Sequence, residues 1–151
     1  MYELSNSHRD TDKERKLEKE AKCLCGSLSS KAEGGEPTLS IVCNCVNCQR
    51  RTGSPFAAIN YFQDAQITGQ SGAHKILEFK SDSGNTNKTF FCPDCGTTLF
   101  FKLDLFGGQT GIASGCFTDP VSPEPTMAVW TRSKYRCVEF PEHWHSLETQ
   151  P

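Results

Sequence analysis

The chain has 151 residues, sixteen basic against eighteen acidic, and a formal net charge of −2. That length suits one domain, and the charge balance gives neither the basic field of a nucleic-acid binder nor a polybasic patch for a membrane. No apolar run approaches the ~20 residues that cross a bilayer, and the N-terminus lacks the apolar core of a secretory signal, so a reducing, cytoplasmic setting is expected.

Residues 1–22 are dominated by charge; from His8 to Lys22 only Leu17 and Ala21 are apolar. Thr11 and Glu14 have capping-box spacing, but two apolar residues do not anchor a helix to a core, and a flexible tail is expected over 1–22. Short β-prone stretches separated by turn residues follow. They are Leu39 to Val42, Phe56 to Phe62, Lys75 to Lys80, Lys88 to Phe91, Thr97 to Leu103, Gln109 to Ala113 and Met127 to Thr131. One short helix is expected over Val46 to Arg51. The fold class is therefore mainly β, with antiparallel sheets and little helix.

Seven of the nine cysteines fall in three clusters: Cys23 and Cys25; Cys43, Cys45 and Cys48; Cys92 and Cys95. In a reducing compartment such clusters are metal ligands or redox groups rather than structural disulfides. Residues i and i+2 of a strand share a face, so Cys23 and Cys25 present their sulfurs together. Cys92-Pro93-Asp94-Cys95-Gly96 is a knuckle in which Pro fixes the turn and Gly allows close backbone approach. Two pairs close a Cys₄ zinc site. Three thiols are left for a second metal, whose fourth position is open to water or to an incoming thiolate. Arg50 and Arg51 follow that trio directly and are suited to gripping the carboxylate of an anionic ligand. A single ribbon built from Cys45, Cys48, Cys92 and Cys95 is the rival partition, but it leaves Cys23, Cys25 and Cys43 without a role. A redox dithiol lacks its usual βαβ setting.

The isolated Cys116 and Cys137 read as small buried hydrophobes. His143 and His145 read as surface residues, and His74 as a distant candidate base. Phe90, Phe91, Phe100 and Phe101 read mostly as core, with Phe56 and Tyr61 as possible pocket walls.

These motifs resemble the family of glutathione-dependent formaldehyde-activating enzymes, which includes centromere protein V. The matching segments are Cys23-Leu24-Cys25-Gly26, Cys43-Asn44-Cys45-Val46-Asn47-Cys48-Gln49-Arg50, Arg51-Thr52-Gly53-Ser54 and Phe91-Cys92-Pro93-Asp94-Cys95-Gly96. The resemblance implies a beta-tent fold, a structural zinc on Cys23, Cys25, Cys92 and Cys95, and a catalytic zinc on Cys43, Cys45 and Cys48. It also implies carbon–sulfur lyase activity on a glutathione adduct of a small electrophile. Asn44 stands where the family usually has histidine, and Pro125-Thr126-Met127-Ala128 lacks the histidine that the family often carries a few residues after a proline. The expectation is a zinc-binding catalytic domain over 23–146 with a short tail at 147–151. Its partners would be glutathione and a small-molecule substrate, and a homodimer is compatible with it. A non-catalytic zinc module for protein interaction, and a zinc hydrolase or dehydratase that does without glutathione, are the alternatives.

Overall fold

A computed structural model describes residues 18–119 and 124–150. Strand β1 (Glu18–Lys22) arises from residues assigned above to the tail. It pairs antiparallel with β2 (Ser29–Glu33), which pairs with β5 (Ile67–Ser71), giving a three-stranded sheet of order β1-β2-β5. A charged sequence forms this strand because its chief apolar foothold, Ala21, is completely buried. The Thr118 N–H also donates to the Glu20 carbonyl at 2.8 Å. The Thr11–Glu14 capping box lies outside the described residues.

The second sheet holds β3 (Leu39–Cys43), β4 (Ala57–Gln63), β6 (Lys75–Lys80), β7 (Thr86–Phe91), β8 (Thr98–Leu103), β9 (Gln109–Ala113), β10 (Met127–Val129) and β11 (His145–Ser146). Its order is β11-β10-β3-β4-β9-β8-β7-β6. Pairing is antiparallel, as expected, except that β10 runs parallel to both β3 and β11. The consecutive parallel neighbours β10 and β11 are joined by residues 130–144, since such a pair cannot be joined by a tight hairpin. The helix is α1 (Val46–Thr52), which closes at Gly53 in the left-handed region with φ 63°.

Register settles which side chains share a face, because directly paired residues point the same way. Val129 pairs with Cys43, Ile41 with Ile59, Tyr61 with Gly111, and Gly111 with Phe101. Leu103 pairs with Asn87, and Asn87 with Phe79. These residues form one face of the large sheet. The opposite face carries Phe62, Phe100 and Ile112, which cluster with Ala21 and Ala32 of the small sheet and with Leu28 of the β1–β2 connection. Adjacent Phe100 and Phe101 thus serve different cores. Gly111 is required where it stands: a Cβ there would lie 2.9 Å from both Ile59 Cγ2 and Tyr61 Cε1.

Residues 147–150, expected as a tail, are tied down. The Leu147 carbonyl accepts from the Thr131 N–H at 3.1 Å, and the Gln150 side chain accepts from Trp130 Nε1 at 3.4 Å. Cys137 corrects its expectation: it is exposed, in the turn-rich stretch between Thr131–Ser133 and β11, while Cys116 is half-buried.

Candidate metal centres

The Sγ atoms of Cys23, Cys25, Cys92 and Cys95 lie within 4.8 Å of one another. Cys23 and Cys25 are 3.5 Å apart, and Cys25 and Cys92 are 3.7 Å apart. A tetrahedron with Zn–S bonds of about 2.3 Å has edges of about 3.8 Å, so the spacing suits a tetrathiolate metal site. The sulfurs are too far apart for disulfides, and all four cysteines are free. The setting draws Cys23 and Cys95 toward the thiolate, whereas Cys25, lowered by Ser27, is raised more by Cys23, burial and Cys95. The Leu28 N–H donates to Cys23 Sγ at 3.2 Å, and Ser27 Oγ lies 3.0 Å from Cys25 Sγ. The Thr97 hydroxyl and N–H hold the Cys95 thiol down at about 5. Cys23 and Cys92 are buried in the core between the two sheets, so the cluster joins β1 to the β7–β8 turn.

The second group is Cys43, Cys45 and Cys48, also mutually within 4.8 Å. Cys43 ends β3, Cys45 caps α1, and Cys48 lies in its first turn. The cap bond runs from the Cys48 N–H to Cys45 Sγ at 3.4 Å. Bonds from Cys43 and Cys48 pull the Cys45 thiol down to about 3. The contact with Cys45 drives Cys43 far up. Cys48 is lowered by Cys43 but raised more by Cys45 and burial, to about 11. Alone, the trio carries one negative charge. A bound dication is what lets three crowded sulfurs ionise together, so the donor set fits a thiophilic metal such as zinc.

The loop holding the trio is fastened on both sides. Asn44 is completely buried, and its backbone N–H and its Nδ2 both donate to the Val129 carbonyl at 3.0 Å. The Asn44 carbonyl accepts from Gln49 Nε2 at 2.9 Å and from Ser133 Oγ at 2.8 Å. Asn44 is therefore a structural anchor to β10, and it is not among the pocket-lining residues.

A pocket opens beside the trio, floored by Ile41, Ile59, Tyr61, Phe101 and Leu103, with Trp130 at its side. Trp130 is held in the left-handed region at φ 56°, an expensive conformation for a bulky residue. Arg51 lines the pocket, with Nη2 4.0 Å from Cys48 Sγ and its guanidinium 4.6 Å from the Phe101 ring centre. Positions i and i+3 share a helix face, which turns Arg51 to the site. Arg50 is exposed and does not line the pocket. Burial above all pushes the Tyr61 phenol upward, so it keeps its proton. Phe56 stands away from the pocket, against Phe140 at 5.7 Å. His74 packs on Phe90 and Phe100, on the far face of the sheet. His143 and His145 are exposed.

Sequence reasoning missed Trp130, Phe79, Asp82, Asn87 and Gln150 as pocket residues. No local motif marks them, and only the register of β6, β7, β8 and β10 brings them to the trio.

Among the described residues, this mainly β chain has one Cys₄ and one Cys₃ group that could hold metal ions, and an apolar pocket at the trio. Residues 18–133 match the description "Glutathione-dependent formaldehyde-activating enzyme", and the chain belongs to that family. A protein of Schizosaccharomyces pombe, named as an uncharacterized lyase, is 34% identical over 84 residues. That match spans 56% of this chain and 57% of the relative. A crystal structure of a Rhodobacter sphaeroides protein has the same fold, with a TM-score of 0.53, 20% identity, and coverage of 69% of this chain and 91% of that one.

Proposed function

We propose that this protein is a zinc-dependent carbon–sulfur lyase acting on the glutathione adduct of a small electrophile. The observation that carries the reading is a three-thiol group, Cys43, Cys45 and Cys48, at the wall of an open, mostly apolar pocket. Family membership supports it, as does the lyase name of the S. pombe relative. Cys23, Cys25, Cys92 and Cys95 would hold a second, structural zinc, and the protein would work in the cytoplasm. A zinc ion held by the trio would lower the pKa of a glutathione thiol from about 8.5 and supply a thiolate at neutral pH.

The protein's own residues do the rest. Arg51 places a fixed cation beside Cys48 and, stacked on Phe101, is positioned to receive a carboxylate of the tripeptide. The apolar floor limits water around the reacting carbon. When sulfur adds to a carbonyl carbon, the C–S bond forms and the π pair moves to oxygen. The protonated Tyr61 phenol is the donor for that developing charge. In the cleavage direction the pair returns from oxygen and the sulfur leaves.

Cys45→Ser should abolish turnover and remove one equivalent of zinc by native mass spectrometry, while circular dichroism stays that of the folded protein. Full activity in Cys45→Ser would refute the assignment. Millimolar glutathione should raise the melting temperature of the zinc-loaded protein. No rise with both sites filled would favour a non-catalytic module.

A further inference from the structure

Among the described residues, the charged side chains lining the pocket, the cysteines aside, are Arg51 and Asp82. They come from different elements. Arg51 lies over Phe101, while Asp82 lies in the turn that joins β6 to β7. Phe101 and Leu103 share a face and are two residues apart on β8, a step of about 7 Å. The two opposite charges form no ion pair with each other within 4 Å, nor does Asp82 with any described residue. A carboxylate and a guanidinium from different elements, lining one mostly apolar pocket, suit a zwitterion.

Asn87 adds a second, independent observation. It lines the pocket, and its Oδ1 is shielded from solvent with no hydrogen-bond partner. An orphaned buried acceptor costs about 1–3 kcal/mol, and such atoms mark places where a ligand completes the bonding. The neighbouring Ser81 hydroxyl is already engaged, to Ser83 Oγ at 2.9 Å and the Asn85 carbonyl at 3.2 Å. Two acceptors, the Asp82 carboxylate and the Asn87 carbonyl oxygen, therefore remain at this end of the pocket.

The geometry points to Asp82 and Asn87 as the specificity determinants that receive an ammonium group of the ligand, which makes the pocket selective for a thiol bearing a free α-amino group. This rests on the proposed glutathione reading and deepens it: the γ-glutamyl amine would sit against the β6–β7 turn, and a carboxylate against Arg51. A charged amine offers three donors to two acceptors, one of them anionic. Replacing the amine with hydrogen removes the cationic partner of Asp82 and leaves Asn87 Oδ1 without a donor.

The test is titration calorimetry on the zinc-loaded full chain with two probes, glutathione and desamino-glutathione, which lacks only the γ-glutamyl amine. Wild type should bind glutathione about tenfold more tightly. Asp82→Asn, on an exposed turn, should weaken glutathione about tenfold and leave desamino-glutathione unchanged; Asn87→Ala should act in the same direction. Equal affinity of wild type for the two probes, or equal loss of both in Asp82→Asn, overturns the amine site and leaves the glutathione reading standing. Failure of both probes to bind wild type overturns the two together.

Discussion

Tyr61 depends on Gly111 more than on any bond of its own. Its ring edge lies where a side chain at 111 would project, and the Phe106 ring closes on it edge-on at 4.7 Å. Tyr61→Phe should keep the fold and melting temperature and lower kcat about a hundredfold if the phenol is the donor proposed. Gly111→Ala, by contrast, should cost about 1–3 kcal/mol through overpacking and also lower kcat, because the ring must shift. The pair separates chemistry from packing in one set of melting and rate measurements. Unchanged turnover in Tyr61→Phe would remove the residue from the mechanism. At this scale the sequence was legible in part: Tyr61 stood out as a pocket wall, whereas the need for glycine at 111 is invisible until β4 and β9 are aligned.

Elements are joined by polar contacts at their ends as well as by sheet bonds. Asp64, in the short turn (Asp64–Gln66) after β4, accepts from Lys102 Nζ on β8 and from Thr110 Oγ1 on β9 at 2.7 Å. The Lys102 bond, with Thr110 adding to it, lowers the Asp64 carboxyl below its ordinary value. A group with a depressed folded-state pKa adds stability above its unfolded value of about 3.9, and this is lost as pH falls through the folded value. Asp64→Asn should therefore be less stable than wild type at pH 7, and the gap should close below about pH 4. The gap should stay under about 1 kcal/mol, because both partners remain two-fifths or more exposed. Urea midpoints at pH 7 and pH 3 measure it; a gap that widens on acidification would reverse the assignment. α1 is fastened likewise, through Gln49 to Asn44 and Ser133. The short helix was readable from sequence, but its tether to the turn after β10 was not, since Gln49 and Ser133 are 84 positions apart.

Across the whole molecule the two cysteine clusters are expected to have separable effects. The Cys₄ group links residues 23–25 to residues 92–95, between the sheets, and zinc held there would be worth on the order of 10 kcal/mol of folding free energy. Cys92→Ser, or strong chelation, should lower the melting temperature by tens of degrees or abolish cooperative unfolding. The same change at Cys45 should leave the transition nearly in place. Equal melting of the two variants would mean that the first cluster carries no folding load.

Composition and local spacing were enough to determine a mainly β chain, seven of its strands, one short helix, and the division of seven thiols into four and three. Each of these is written within a few consecutive residues, where covalent geometry and side-chain period act directly. The strand of Glu18–Lys22 escaped because its polar surface hides the buried Ala21, and Ile67–Ser71 because it is mostly polar and half-exposed. Helical spacing from Cys48 already turns Arg51 rather than Arg50 to the trio, but tertiary structure alone decided that Asn44 is an anchor, and that Trp130, Asp82, Asn87 and Gln150 line the pocket. Where such a residue lies on a strand, as Asn87 does, its side depends on register, and a one-residue slip would turn it to the other face. The contacts that hold Asn44 to Val129 and Gln150 to Trp130 join segments separated in sequence, so no local stretch of this chain encodes them.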